Sequence, residues 1–564
     1  MGSIECSVPS KSHQYSFSHE KLGHIVGWTR GGDVVQFRGI PYATIPGRFR
    51  QSILTTSLPN EPFLATNAGP YCPQPYQPYF EYWKAPLPID WPVLDLPKPE
   101  EFGCLNLALT IPRSSLESAG KKTPVLVFIH GGAFVGGSQC IQLSGREVFD
   151  GTGIVRHSME LGKDIIVATI NYRVGPLSFL ACHQLSEFNQ KHGEAVGNYG
   201  LHDQARAIEW LSKFVAGFGG DPNNITIQGT SAGAASCHLQ CTFPERKFQR
   251  AIIASGTALG IGPMPLEFHQ NIYDRVMEAV APTSTSDRAF EELLSCNTSV
   301  LTDDVPWTVC HPLIEDNFIH KSSYIGAPSY DGAPDIMVGA TAFEEDLCQL
   351  LLMDFAKGKI KSDEDILKQL RSTIETNHTF ADHNEFPDQF SNVFKAYDLQ
   401  EAMVCPSKHI EGISSLLGNI LFDFPTLYLP IATYKSGNSS RVWLYRYSIT
   451  NTYPASHSYR KAHHGVNDLF VFNPAPEMIP EEDRASWDAG VLQTQRSWIE
   501  FANGENPWTP VRRESSVNSV STLGPIFHFA DHGKSREFDT LQECVAEDLV
   551  KRYNSLLQIS RLSI

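Results

Sequence analysis

The chain has 564 residues, 41% of them hydrophobic, a formal net charge of -17 and a pI near 5.6. Its length and apolar content suit a large buried core and exclude the disordered and fibrous classes. The acidic balance argues against a nucleic-acid partner, which would need a basic face.

No run of about 18 apolar residues is present, so no transmembrane segment is expected. Met1 to Pro9 carries neither the apolar core nor the cleavage pattern of a secretory signal. Cys6 stands where a myristoylation pattern needs Ser or Thr. These features lead us to expect a cytoplasmic protein whose 12 cysteines are mostly free thiols. No linker, charge block or internal repeat divides the chain, so a single domain over residues 1–564 is expected.

Between Cys72 and Cys104 lie Tyr76, Tyr79, Phe80, Tyr82, Trp83, Trp91 and several prolines. This composition suits a folded loop that lines or covers something apolar. The plain alternative is rings packed onto the main core. Pro124–Ile129 and Asp164–Ile170 are nearly continuous apolar, β-branched runs, as expected of strands buried on both faces. Directly after the first comes His130-Gly131-Gly132-Ala133-Phe134, a turn of small residues.

Leu201, Ala205, Ile208, Leu211 and Val215 recur at helical spacing, and Gly217–Pro222 supplies stop and turn residues. Ile225-Thr226-Ile227-Gln228 then reads as a strand entering Gly229-Thr230-Ser231-Ala232-Gly233 and a run of helix formers. Alternating strands and helices of this kind imply parallel strands with crossover helices. Ile336–Gly339 is a further strand and turn, followed by Glu344, Glu345 and Asp346; Val442–Tyr447 is another, preceding His463-His464-Gly465.

A serine between glycines, at a strand-to-helix turn, stands exposed at a helix N-terminus. Its hydroxyl attacks only if a base takes the proton, and the product oxyanion needs donors. The N–H groups of Gly132, Ala133 and Ala232 are the candidate donors. A histidine late in the chain and an acid between it and the serine are the candidate partners. From the residues alone, Glu344, Glu345 and Asp346 stay open, a solvated acidic loop included.

Several blocks in order resemble the type-B carboxylesterase/lipase family, which includes cholinesterases and fungal lipases. They are Phe37-Arg38-Gly39-Ile40-Pro41-Tyr42-Ala43 with Arg48-Phe49, Cys104-Leu105-Asn106-Leu107, Asn171-Tyr172-Arg173, Asn198 to Gln204, Phe218 to Pro222, and Trp498 to Pro507. The resemblance implies an α/β-hydrolase fold: a central, mostly parallel sheet flanked by helices, with residues 72–104 as an aromatic lid loop and helical insertions. It aligns Glu344 with the acid position, His464 with the base, and Ser231 with the nucleophile. It also implies a Cys72–Cys104 disulfide and, more weakly, a Cys296–Cys310 one. No metal or organic cofactor is implied.

Two departures matter. Thr230 stands where the family usually has Glu, which weakens the case for a cationic substrate. Ala133 stands at the third position of a three-glycine loop, where its methyl group narrows the space near the acyl carbon. The expected function is hydrolysis of an apolar, uncharged small-molecule ester. Two alternatives are a transacylase or lactone-forming tailoring enzyme of secondary metabolism, and a catalytically silent adhesion or scaffold relative.

Overall fold

In the computed structural model of the chain, the described residues are 13–75, 97–118, 120–143, 146–243, 245–284, 286–305, 309–315, 319, 333–354, 359–380, 390–454, 456–513 and 519–561. The ring-bearing centre of the expected lid loop, Tyr76 to Trp91, lies outside them.

A 13-stranded sheet runs through the molecule. Its main strands are β1 (Gln14–His19), β2 (Gly23–Arg30), β3 (Val34–Pro41), β4 (Asn106–Pro112), β5 (Thr123–Ile129), β6 (Ile166–Ile170), β7 (Gly220–Thr230), β8 (Arg250–Ala254), β9 (Asp335–Thr341), β10 (Val442–Tyr447), β11 (Ile526–Phe529) and β12 (Arg536–Phe538). The order across the sheet is β1-β2-β3-β4-β6-β5-β7-β8-β9-β10-β11-β12, with Phe63–Leu64 added beside β2. From β6 to β11 every pairing is parallel, while both edges are antiparallel.

The apolar runs explain this layout. Along β5, Val125, Val127 and Ile129 enter the core on one face, and Leu126 and Phe128 enter the core on the other. Strands with two buried faces need helices on both sides, which the crossover connections provide. Each buried Val, Leu or Ile contributes roughly 1.5–3 kcal/mol relative to exposure. The strand expected from Pro124 begins at Thr123, and the one expected from Asp164 begins at Ile166. Helix α1 covers Tyr199–Phe214, close to the expected span. The Gly217–Pro222 stretch differs from a plain turn. After a 3₁₀ turn at Val215–Phe218, strand β7 already opens at Gly220, whose pairing with Thr123 breaks register before Ile225.

One continuous helical stretch, Pro406–Lys435, is long and apolar enough to meet a membrane-span criterion, which the residue-by-residue reading missed. It is a core element here, with 94% of its most apolar window buried. It contains α2 (Ile410–Gly418), a π-helical turn at Asn419–Asp423 and α3 (Phe424–Lys435).

The disulfides implied by the resemblance are not formed. Cys72 and Cys104 are free, buried thiols close to one another. Each thiol also donates to a carbonyl, Cys72 to Pro73 and Cys104 to Glu101. Cys296 and Cys310 are free as well, and the Cys296 sulfur is taken by Arg48 Nη1 at 3.3 Å. Arg48 pairs with the Glu101 carboxylate at 2.7 Å.

Two of the sequence blocks meet in a buried ion pair. Arg173 donates to both oxygens of Asp203 (2.7 and 2.8 Å), and both side chains are almost completely buried. Removing one partner leaves an uncompensated charge in the interior. Asp203→Ala is therefore expected to lower unfolding stability by about 3–5 kcal/mol, read as a shift of the denaturant midpoint.

Candidate active site

Ser231 sits where β7 turns into helix α4 (Ala232–Cys241), with φ 62° and ψ −125°. That conformation is costly for a residue with a side chain and persists only where its surroundings enforce it. Here they do. A Cβ on Gly229 would fall 2.2 Å from the Gly233 backbone, and one on Gly233 would fall 2.1 Å from the carbonyl of Ile129. The turn packs directly onto β5 with no room for intervening side chains. Ser231 N–H donates to the Ala254 carbonyl at 2.9 Å, pinning the turn to β8.

The small-residue loop after β5 lies against this turn. Gly131, Gly132, Ala133 and Ser231 line one cavity. Gly132 has φ 123°, and a Cβ there would lie 2.1 Å from the Gly136 carbonyl. Ala133 and Phe134 follow at φ 55° and 59°. The loop is held from outside, by Cys310 N–H on the Ala133 carbonyl (3.0 Å) and Gly175 N–H on the Phe134 carbonyl (2.7 Å). Ala232 is buried at the first position of α4, where the N–H has no intrahelical acceptor.

Two further loops meet at the ends of β9 and β10. Phe343 pairs with His463 in a parallel bridge, and Phe343 N–H donates to the Ala462 carbonyl at 3.0 Å. The next residue on each chain is Glu344 and His464. Their side chains form a hydrogen bond, His464 Nδ1 to Glu344 Oε2 at 2.5 Å. The other carboxylate oxygen accepts from Thr341 N–H at 2.8 Å. Burial pushes the Glu344 carboxyl up, but the His464 imidazole and hydrogen bonds from Ser255 and Thr341 outweigh this and hold it below the usual glutamate range.

His464 Nε2 is buried and has no hydrogen-bond partner among the described residues. The ring packs on Phe422, 4.3 Å between centroids, and lines the same cavity as Ser231. No hydrogen bond joins Ser231 Oγ to Nε2 in this ligand-free geometry, where catalytic contacts are often long.

The neighbouring candidates are engaged elsewhere. His463 Nδ1 contacts the His464 carbonyl (2.8 Å), its Nε2 contacts Asn451 (3.0 Å), and burial drives its pKa down to about 4. Asp346 pairs with Lys461 at 2.7 Å and with Ser458. Burial, with the nearby Asp423, raises the carboxyl of Glu345, which is not part of the cavity lining.

Asp468 was given no role by the sequence reading. Its Oδ1 accepts from Thr230 Oγ1 at 2.7 Å and from Asn467 at 3.0 Å, immediately behind the nucleophile, and it lines the cavity. Burial pushes its pKa up to about 7, against the lowering effect of the Thr230 hydrogen bond. An acid four residues after the candidate base, at the start of helix α5 (Val466–Phe472), was the available signal.

The cavity measures about 680 Å³. Its lining includes the apolar residues Ile261, Phe268, Ile272, Val309, Leu421 and Phe422.

Residues 19–534 match the carboxylesterase family. The chain belongs to that family. Among carboxylesterase relatives, the para-nitrobenzyl esterase of Bacillus subtilis is 26% identical over 506 residues, 87% of this chain and 90% of that protein. Lipase 3 of Yarrowia lipolytica is 33% identical over 258 residues, 45% of this chain. The match spans about half the length of that lipase, 48%. A carboxylesterase structure from Geobacillus stearothermophilus superposes with a TM-score of 0.70 at 24% identity, covering 95% of this chain and 99% of that one. The α/β-hydrolase fold is thus shared across almost the whole length.

Asp468 generates a pH-dependent stability. Its folded-state pKa of about 7 lies above the ordinary aspartate value near 3.9. Between those values the folded chain keeps a proton that the unfolded chain has lost, so stability falls as pH rises through that window. Asp468→Asn removes the penalty of ionising a buried acid. Its stability relative to wild type, read from Tm, is expected to rise between about pH 4.5 and 8, by an amount bounded at roughly 4 kcal/mol. A pH-independent difference in Tm would contradict this.

Proposed function

We propose that this chain hydrolyses carboxylic esters through an acyl-enzyme on Ser231. The observation that carries the proposal is the Glu344–His464 hydrogen bond with an unpartnered Nε2 in the cavity of Ser231. In this reading His464 takes the Ser231 proton through Nε2 as the hydroxyl oxygen attacks the ester carbonyl. Glu344, bonded to Nδ1, keeps that nitrogen protonated and stabilises the imidazolium. Amide N–H groups of Gly132, Ala133 and Ala232 hold the oxyanion. His464 returns the proton to the departing alcohol, and water then attacks the acyl carbon by the reverse route.

Support for the donor assignment comes from the backbone of the 131–134 loop, bent by Gly132 and fixed from behind, so that it needs little rearrangement as charge develops. The apolar residues of the cavity lining support an apolar ester as the substrate. The hydroxyl of Thr230 donates to Asp468, whose carboxyl burial holds toward its neutral form, and this supports an uncharged ester.

A panel of 4-nitrophenyl esters of graded acyl length tests the proposal. Ser231→Ala is expected to lower kcat by at least about 10⁴-fold, and Glu344→Gln by about 10³–10⁴-fold with little change in KM. A phosphonate should add once, to Ser231, as read by peptide mass. Full activity in Ser231→Ala would exclude the mechanism. Ala133→Gly is expected to raise turnover of tertiary-alcohol esters relative to primary ones by about tenfold, and wild-type rates already equal for the two would contradict a steric role for that methyl.

A further inference from the structure

Two backbone segments carry one further polar side chain to the cavity. The loop after β8 packs on the nucleophile, since a Cβ on Gly256 would fall 2.4 Å from the Ser231 carbonyl. A few residues later Gly260 and Ile261 line the cavity. The second segment, residues 309–314, lies beside this loop and beside the 131–134 loop. Cys310 N–H donates to the Ala133 carbonyl at 3.0 Å, Met264 N–H to the Pro312 carbonyl at 2.7 Å, and Ile314 N–H to the Met264 carbonyl at 2.9 Å. Gly131, on the same loop as Ala133, is so close to the serine that a Cβ there would fall 3.1 Å from Ser231 Cβ. His311 is thus the next residue after one bonded to the loop beside the nucleophile, with bonded backbone on both sides.

Among the described residues three histidines line the cavity, His311, His463 and His464. His464 is the candidate base, and His463 has both ring nitrogens engaged. In His311 it is Nδ1 that is engaged, with the Gly262 carbonyl at 3.0 Å. A carbonyl only accepts, so Nδ1 carries the proton. Phe268 packs edge-on against the ring, with 5.5 Å between centroids and 81° between planes. Burial lowers the pKa of the ring below the ordinary histidine value, against the raising effect of the Gly262 bond. The ring is therefore neutral at pH 7, and in that form Nε2 is an acceptor. No described residue donates to it, and His311 is only half-buried.

Hydroxyls of the same lining are committed within the protein. Thr373 donates to the Gln369 carbonyl and Thr376 to the Ser372 carbonyl, each at 2.9 Å, Ser458 donates to Asp346, and Thr230 to Asp468. His311 instead presents a fixed, uncharged acceptor to the occupant of the cavity. An occupant that cannot donate leaves this acceptor unpaired, and one with a hydroxyl satisfies it.

We infer that the substrate is an apolar, uncharged ester that carries a hydroxyl group in its acyl or its alcohol part, with His311 Nε2 as the acceptor that recognises it. The inference rests on the esterase reading above and adds one neutral donor to the ester proposed there. His311 is a specificity residue in this reading and takes no part in the proton transfers at Ser231.

The test uses sets of three esters on the full chain, with a hydroxyl, a methoxy group or hydrogen at the same carbon. One series places the group at successive carbons of the acyl chain of ethyl decanoate, the other at successive carbons of the alcohol part of decyl acetate, and both are followed by acid release. A hydroxyl donates and a methoxy group only accepts, so each set separates donation from polarity. For the best hydroxylated member, kcat/KM is expected to exceed that of both partners by about tenfold, the scale of one neutral hydrogen bond. The series in which this occurs assigns the hydroxyl to the acyl or the alcohol side. His311→Phe keeps a ring beside Phe268 without the acceptor. It should lose the preference through KM and keep the rate on the plain ester, which also reports that it is folded; His311→Leu is a second variant without the acceptor. Equal turnover within every set, an advantage shared by the methoxy member, or a preference unchanged in these variants overturns the inference and leaves the esterase reading standing. Absence of turnover for every member with the unmodified chain would count against the esterase reading itself.

Discussion

Everything at this site depends on how closely three backbone segments approach one another. The end of β5, the turn at Ser231 and the start of α4 touch through main-chain atoms, with Gly229 and Gly233 at the contact. That packing holds Ser231 in a conformation it would not otherwise adopt. It also sets the 131–134 loop beside the serine, because that loop leaves β5 at the same level. The candidate nucleophile and the candidate oxyanion donors are therefore placed by one piece of sheet geometry.

The candidate acid and base reach the site by the same means from the other side. Strands β9 and β10 are parallel neighbours, so the loops at their ends emerge together, and the bridge between Phe343 and His463 aligns them. Glu344 and His464 are each the next residue along. The imidazole is then fixed on three sides, by a carboxylate at Nδ1, by the Phe422 ring, and by the backbone that carries it. Nε2 faces the cavity without a partner.

Much of this was legible in the sequence. Strands buried on both faces appear as unbroken apolar runs, and the Gly229-Thr230-Ser231-Ala232-Gly233 turn is a local signal. The choice among Glu344, Glu345 and Asp346 was not local. It depends on which carboxyl meets an imidazole more than a hundred positions away, and only family resemblance selected Glu344 before the structure did. Asp468 was overlooked because its partner, Thr230, is distant in the chain and carries no charge to suggest the pairing. The cysteine pairing failed for a different reason: Cys72 and Cys104 do come together, but proximity does not oxidise them. The long apolar stretch Pro406–Lys435 depends on four helical segments joining end to end, which no single apolar run announces.

The π-helical turn at Asn419–Asp423 ties two properties together. It lets Leu421 and Phe422 project into the cavity while Phe422 also supports the imidazole. Pocket shape on this side and orientation of the base thus share one element, so reshaping the wall here would also loosen the ring it steadies. The helix Asp363–Glu375, which also lines the cavity, carries neither Glu344 nor His464. Divergence in what the cavity accepts has a freer path along that helix than along the aromatic wall.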